Sequence, residues 1–248
     1  MEPYTEVIKS RSDEREYKCI KLPNEMRCIL ISDPEADKSA AALDVHVGCS
    51  LDPKPFFGTA HFLEHMLFMG TEKYPSENEY AEYITNHGGY NNAFTSLTDT
   101  NYHFEVSNDA FGEALDRFAQ FFLCPLLGDS QTEREMNAVD SEYNMSLQHD
   151  AWRKFNLIQN IAHEESQLRR FNCGNLESLK QEGIRENLLN FHKKWYSSNI
   201  MNLVLVSKHS IEQLEEWAVS LFSGVENKNV EWPDLSQPRM PFDESNLG

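Results

Sequence analysis

The chain has 248 residues, of which 40% are hydrophobic, so it can bury a substantial core, and its length fits one large domain better than two small ones. It carries 22 lysine and arginine residues against 40 aspartate and glutamate residues, a formal net charge of -18. Such a charge repels phosphate backbones and anionic membranes, which argues against nucleic acid and membrane partners.

The first predicted elements are strands. Tyr17 to Leu22 and Met26 to Ser32 are β-prone runs joined by Pro23-Asn24-Glu25, a turn sequence, and together they predict a hairpin. A third strand is predicted over Ala41 to Cys49, where Leu43, Val45 and Val47 alternate with smaller or polar residues.

Two helices follow. Thr59 to Met69 is apolar, rich in methionine and phenylalanine, and closed by Gly70, which predicts a mostly buried helix. The capping-box pattern of Ser76 to Glu79 predicts the start of a second helix that runs toward the Gly88-Gly89 pair.

Two further strands, over Tyr90 to Ser96 and Asn101 to Val106, precede an amphipathic helix over Asp109 to Leu123 that Pro125 ends. A second capping-box pattern, Ser130 to Glu133, predicts a helix that continues past Glu142.

In the rest of the chain, residues 160–174 are predicted to form a loop, 188–195 a helix, 201–206 a strand, 211–222 a helix and 225–248 a linker. We therefore expect one large folded unit over 1–224 and a linker toward a further domain over 225–248. Strands and helices mixed without strict alternation indicate an α+β domain, or an α/β domain with a mixed sheet.

The cysteines form an odd set without a CxxC pair, so the sequence favours neither a disulfide framework nor a thiolate zinc site. The N-terminus lacks the apolar core of a secretory signal, and no apolar stretch approaches the roughly 20 residues that span a bilayer. We expect a soluble, cytoplasmic chain. The five cysteines are Cys19, Cys28, Cys49, Cys124 and Cys173.

The helix over 59–69 contains His61-Phe62-Leu63-Glu64-His65, the HxxEH pattern of inverted zinc peptidases. His61 and His65 are four residues apart and so project from one helix face, where they can hold a single cation. A histidine pair beside an acid on a solvated face is the alternative reading. The apolar residues around this trio favour a metal site, because buried polar groups require a partner.

A catalytic zinc also requires a third protein ligand and an open position for water. Glu135 and Glu142 are seven residues apart and lie almost on one face of the helix that begins near Ser130. Spacing alone does not choose between these two acids.

Several segments together resemble the pitrilysin, or insulinase, family of zinc peptidases along nearly the whole chain. The resemblance implies the family's fold, a mixed, largely antiparallel sheet packed against helices. In that family a glutamate follows the second histidine of HxxEH by 77 positions, and that position here is Glu142. The segments that carry the resemblance are Gly58 to Gly70, Asn92 to Ser96, Ala114 to Pro125 and Asn137 to Glu142.

The resemblance implies that His61, His65 and Glu142 bind one Zn2+, that Glu64 is the general base, and that Glu135 is a supporting catalytic acid. Zinc would polarise the scissile carbonyl and lower the pKa of water, whose proton Glu64 would take and later deliver to the leaving amine. A carboxylate such as Glu135 would fix the tautomer of a ligating histidine.

The resemblance also implies a substrate-binding region. Asn92, Ala93 and Phe94 match an edge strand to which substrate adds by main-chain hydrogen bonds, which predicts broad sequence tolerance. Aromatic side chains at helical spacing are usually core residues, so their role in a pocket is the less specific part of the prediction. The aromatic residues that match the pocket are Phe68, Phe94, Trp152 and Phe155.

Ile161 to Cys173 departs from the family pattern, as does Leu97-Thr98-Asp99, which leaves loop shape and substrate preference open. The family has four homologous domains in two halves, and the chain matches the first. The implied partners are therefore peptide substrates and the remaining, C-terminal domains. We expect this domain to bind zinc but to cleave peptides poorly by itself. The alternatives are a nardilysin-like peptidase that prefers basic sites, and a non-catalytic peptide-binding module.

Overall fold

The fold is built on one six-stranded sheet, seen in a computed structural model that describes residues 5–164, 166–233 and 241–242. The strand order is β1-β2-β6-β3-β5-β4. The β2–β6 pair is parallel and the other four pairs are antiparallel, so the prediction of a mixed, largely antiparallel sheet in an α+β domain is confirmed. The strands are β1 (Glu16–Lys21), β2 (Arg27–Ser32), β3 (Lys38–Val45), β4 (Tyr90–Thr95), β5 (Thr100–Ser107) and β6 (Met201–Ser207).

Eight α-helices are assigned in the described part of the chain, in addition to short 3-10 turns. None of them combines the length and hydropathy that crossing a bilayer would require. They are α1 (Thr59–Leu67), α2 (Glu79–Asn86), α3 (Phe111–Leu123), α4 (Asp129–Ser146), α5 (Asp150–Ile161), α6 (Leu176–Leu179), α7 (Ile184–Trp195) and α8 (Ile211–Phe222).

The core lies between the sheet and the helices that cover it. Leu43 of β3 and Leu203 of β6 are paired in register and fully buried. The apolar stripe of α3, which includes the buried Phe118, packs on β3 and β5, as the spacing of three and four predicts. Helix α1 contacts β4, the last strand at one edge of the sheet.

Both predicted capping boxes are wrong. Helix α4 begins at Asp129 after the extended Gly128, and Ser130 lies inside the helix. Thr132 N–H donates to Gly128 O at 3.1 Å, so backbone groups close the first turn. Helix α2 begins at Glu79 with no side-chain cap.

The region after Glu142 also differs from the prediction. Helix α4 ends at Ser146 and a separate helix, α5, follows, although the sequence predicted only one helix there. Residues 162–164 and 166–175 form irregular structure and a short 3-10 turn, so the predicted loop is confirmed over most of its length. Helix α7 begins at Ile184, four residues before the predicted start, after Gly183 with a φ of +84°.

The predicted linker is described only over residues 225–233 and 241–242, and the remainder lies outside the described residues. Val230 exchanges two hydrogen bonds with the Asn199 side chain, and the Trp232 ring stacks on His46 at a centroid distance of 3.8 Å. These residues therefore lie along the domain surface, and the boundary at residue 224 stays a prediction.

His192 on α7 makes folding sensitive to acid. Burial, together with the charge of Lys228, lowers the pKa of this imidazole to about 4, and its Nε2 is buried without a hydrogen-bond partner among the described residues. The folded state favours neutral His192, so its contribution to stability is complete above the unfolded pKa of about 6.5 and declines as the pH falls toward 4.

Between pH 7.5 and pH 5 we expect the free energy of unfolding of wild type to fall by about 2 kcal/mol more than that of His192→Phe. Urea unfolding at both pH values measures this difference, with His149→Phe at an exposed position as the control. Equal pH dependence in wild type and His192→Phe would contradict the assignment.

Candidate metal centre

The helix that carries the HxxEH pattern is held at its N-terminus by Asp52. The Asp52 carboxylate accepts hydrogen bonds from the Gly58 and Ala60 N–H groups at 2.7 and 2.8 Å, which satisfies two donors at the start of α1. Burial raises the pKa of Asp52 to about 7, against the opposing effect of these backbone hydrogen bonds. The anchored α1 turns His61 and His65 toward α4.

Three ligand-type atoms converge between α1 and α4. The Glu142 Oε2 atom lies 3.6 Å from His61 Nε2 and 3.5 Å from His65 Nε2. One ligand atom from each of these residues lies within 4.8 Å of the others. The structure therefore brings the three sequence-predicted metal ligands together.

The two distances from Glu142 Oε2 to the histidine nitrogen atoms suit a zinc ion. Ligand atoms about 2.1 Å from a common tetrahedral centre are about 3.4 Å apart, close to the separations from Glu142. Two imidazoles and one carboxylate are a donor set of catalytic zinc sites, which keep a fourth position open. The centre opens to solvent on the Glu142 side, since that side chain is 46% exposed and that of His61 is 12% exposed.

A second layer of acceptors lies behind the histidines. His65 Nδ1 is 3.4 Å from Glu135 Oε2, and His61 Nδ1 is 2.7 Å from the Cys173 carbonyl oxygen. Both Nδ1 atoms are thus engaged away from the centre, which leaves both Nε2 atoms to face it. Glu135 and Glu142, which spacing could not rank, therefore occupy different positions, the first behind His65 and the second in the centre.

The centre favours bound positive charge. Burial alone would lower the pKa of His65, but its hydrogen bonds with Glu135 and Glu142 outweigh burial and raise this pKa to about 9. The hydrogen bond with His65 lowers the pKa of Glu142 despite partial burial. The same negative field that holds a proton on His65 favours a cation.

Glu64 is buried beside the centre, with 7% of its surface exposed. Burial raises the pKa of its carboxyl group, against the nearby His61 and a hydrogen bond donated by Thr95 Oγ1 to Glu64 Oε2. A base with a raised pKa is better matched to proton transfer near neutral pH.

A cleft of about 940 Å³ joins the centre to the edge strand. The backbone of β4 pairs with β5 on one side, and no named strand of the described chain pairs with its other side. Phe94 and Trp152 are half exposed, at 53% and 50%, whereas Phe68 packs against Phe121. The cleft is lined by all six predicted substrate-binding residues, namely Phe68, Asn92, Ala93, Phe94, Trp152 and Phe155.

Some contacts of the centre were not predicted. The Cys173 carbonyl belongs to the main chain, and a main-chain acceptor leaves no signal in side-chain identity. Thr95 lies in the segment Asn92 to Ser96, which resembles the family, so the sequence pointed to its neighbourhood. Its contact with Glu64 becomes visible only in the folded structure. Met69, Tyr143 and Arg153 also line the cleft.

Comparison with protein families gives two matches. Residues 27–165 match the insulinase family, peptidase family M16, and residues 183–247 match the M16 inactive domain. The second match includes β6, which is hydrogen-bonded between β2 and β3 in the sheet. The described residues of the two matches thus share one sheet.

Individual relatives agree with these matches. The chain is 49% identical to insulin-degrading enzyme of Mus musculus over 98% of its length and 24% of the relative. It is 45% identical to insulin-degrading enzyme-like 1, peroxisomal, of Arabidopsis thaliana, over 90% of the chain and 24% of the relative. A crystal structure of pitrilysin superposes with a TM-score of 0.90 and 39% identity, covering 93% of the chain and 25% of pitrilysin. The chain spans about a quarter of each relative.

Proposed function

The chain belongs to the insulinase family of peptidases, family M16, and from this we propose that residues 1–224 are the zinc-binding catalytic domain of a metalloendopeptidase. The observation that carries the proposal is the convergence of His61, His65 and Glu142, with Glu142 Oε2 at 3.6 and 3.5 Å from the two histidine Nε2 atoms. The buried Glu64 beside them supplies the base that peptide hydrolysis requires.

Each residue has a separate task. His61, His65 and Glu142 would hold one Zn2+, and Glu135 would fix the ring of His65 through Nδ1. When bound, zinc supplies Lewis acidity that polarises the scissile carbonyl and acidifies water. Glu64 takes the proton of the attacking water and delivers it to the leaving amine, while Thr95 orients its carboxylate.

The free edge of β4 supports extended peptides as substrates. A peptide that pairs with Asn92, Ala93 and Phe94 would lie along the cleft that contains the zinc ligands. Such pairing uses main-chain groups, so sequence tolerance is broad, and the aromatic side chains of Phe94, Trp152 and Phe155 provide apolar contact area.

We propose that the isolated chain binds zinc but cleaves peptides poorly, because the C-terminal domains of the same enzyme complete the site. Two observations support this. The chain spans about a quarter of the length of its relatives, and Phe94 and Trp152 in the cleft remain about half exposed to solvent.

The test is zinc content by elemental analysis together with hydrolysis of a fluorogenic peptide. We expect about one zinc per chain and slow turnover, which rises when the remaining domains of the enzyme are added. A chain purified with zinc in the buffer that retains none would refute the zinc site. Rapid zinc-dependent turnover by the isolated chain would refute the requirement for the other domains.

We also propose a cytoplasmic location. All five cysteines are free thiols, which suits a reducing compartment. The name of the Arabidopsis thaliana relative specifies the peroxisome, so cell fractionation of the full-length protein is the relevant measurement.

A further inference from the structure

One irregular segment contacts both helices that carry the zinc ligands. We name residues 170–176 the strap; they run from the end of the 3-10 turn Gln167–Arg169 to the first residue of α6. On one side of the strap the Cys173 carbonyl accepts from His61 Nδ1 of α1 at 2.7 Å. On its other side the Leu176 N–H donates to Asp140 Oδ1 of α4 at 2.9 Å. The strap therefore connects the histidine helix to the glutamate helix.

The contact with α1 depends on two glycines. A Cβ atom on Gly58 would lie 2.4 Å from the Gly174 Cα atom, a separation at which one backbone must move. Both glycines have positive φ angles, +90° and +84°, which side-chain-bearing residues rarely adopt. Gly58 immediately precedes α1 and Gly174 immediately follows Cys173, so this close approach delivers the carbonyl to His61.

The strap is anchored beyond this crossing as well. Arg170 Nη1 donates to the Asp52 carbonyl oxygen at 3.2 Å, and the Asp52 carboxylate holds the first turn of α1. At the other end, Asn175 and Ser178 form a capping box that starts α6, so the Leu176 N–H points away from the helix toward Asp140.

The carbonyl contact determines the tautomer of His61. A carbonyl oxygen can only accept, so the hydrogen of neutral His61 is held on Nδ1 and the lone pair stays on Nε2. His61 Nε2 is the atom that faces Glu142 in the metal centre, at 3.6 Å from Oε2. A metal ligand of this kind binds more tightly when a partner fixes its ring.

We propose that the strap is a positioning element of the zinc site, in which Cys173 fixes the tautomer of His61 and Asp140 holds the strap against the helix that supplies Glu142. The proposal rests on the proposed zinc function. It assigns Asp140, which lies two residues before Glu142, as a positioning residue that acts through the backbone.

Two pairs of variants of the 248-residue chain test the strap. Asp140→Ala removes the acceptor, whereas Asp140→Asn removes the charge but keeps a side-chain carbonyl that can accept from Leu176 N–H. Leu176→Pro removes the donor while Asp140 keeps its charge. Leu176→Ala is its control, because both variants lose the leucine side chain and only proline lacks the N–H.

Proline is suited to this position. Leu176 is the first residue of α6, where proline is favoured, and the preceding Asn175 is already extended, with φ of -155° and ψ of 177°. Thermal unfolding of the metal-free chain identifies any variant that fails to fold. If a variant at one of the two positions fails to fold, the pair of variants at the other position tests the proposal.

The first measurement is zinc affinity by competition with a chromophoric chelator. We expect Asp140→Ala and Leu176→Pro to weaken zinc binding by about 10- to 100-fold, the range found for outer-shell changes, while Asp140→Asn and Leu176→Ala stay within about threefold of wild type. Equal losses in Asp140→Ala and Asp140→Asn would attribute the effect to charge and overturn the proposal. Unchanged affinity in Leu176→Pro would also overturn it.

The second measurement is the tautomer of His61 by 15N NMR of the metal-free chain at about pH 8.5, where an ordinary imidazole is neutral. We expect the Nδ1-H form in wild type and a mixture of tautomers in Leu176→Pro. This result does not depend on zinc. If wild type binds no zinc, the proposed function fails while the NMR spectrum still decides whether the strap fixes His61; an Nε2-H form in wild type overturns the strap itself.

Discussion

Glu64→Gln is expected to lower kcat for peptide hydrolysis by about 10²- to 10⁴-fold, measured in the full-length enzyme that contains this domain, with zinc content unchanged. Glutamine has nearly the shape of glutamate and keeps an oxygen that can accept from Thr95 Oγ1. It cannot take the proton of water. The loss should therefore appear in kcat far more than in KM, because this substitution leaves the proposed peptide contacts along β4 in place.

Glu133→Gln is the matched control for this substitution. Glu133 is exposed on α4 and lines no part of the cleft that contains the centre, so the same chemical change there should leave kcat within about twofold of wild type. Retention of full activity by Glu64→Gln would exclude Glu64 as the general base. Loss of activity together with loss of zinc would show that Glu64 acts on the metal site instead.

Zinc affinity of the 248-residue chain should fall by more than about 100-fold in His65→Ala and in Glu142→Gln, since even outer-shell changes cost about 10- to 100-fold. His65→Ala deletes one of the converging nitrogen atoms. Glu142→Gln replaces a charged oxygen ligand by a neutral amide that attracts a cation more weakly. Chelator competition and elemental analysis measure both effects.

Glu135→Gln separates the two acids of α4. It leaves the three atoms that converge in the centre in place, so its loss of affinity should be smaller than that of Glu142→Gln. The reverse ranking would make Glu135 the metal ligand. Glu133→Gln again provides the reference for a charge change on the same helix.

Local patterns predicted the elements whose signals are contained within a few residues. The amphipathic helix predicted over 211–222 has the bounds Ile211–Phe222 in the structure, and the β1–β2 hairpin turns at the predicted Pro23-Asn24-Glu25. In both cases one face of a short segment is apolar, so the spacing of its apolar residues predicts which face is buried in the folded domain.

Elements that depend on distant neighbours were less predictable. Helix α5 has few buried residues, and its exposed Trp152 and Leu157 give no continuous apolar face against the domain. The starts of α2 and α4 carry serine and glutamate in a capping pattern, yet α4 begins at Asp129, one residue before the serine, with Gly128 as its N-cap. A local capping pattern was thus overridden where the chain entered the helix from packed structure.

The sequence by itself determined the grouping of the HxxEH side chains, because residues three and four apart on one helix share a face whatever surrounds them. That rule places His61, Glu64 and His65 together within a single helix. Resemblance to the family added Glu142, which residue spacing could not separate from Glu135.

Only the tertiary structure decided how these groups meet. It sets Glu142 Oε2 at 3.5 and 3.6 Å from the two Nε2 atoms, Glu135 behind His65, and the Cys173 carbonyl behind His61. These contacts join residues 70 to 112 positions apart. Their distances follow from how α1, α4 and the strap pack against one another, and no local pattern in the sequence encodes such distances.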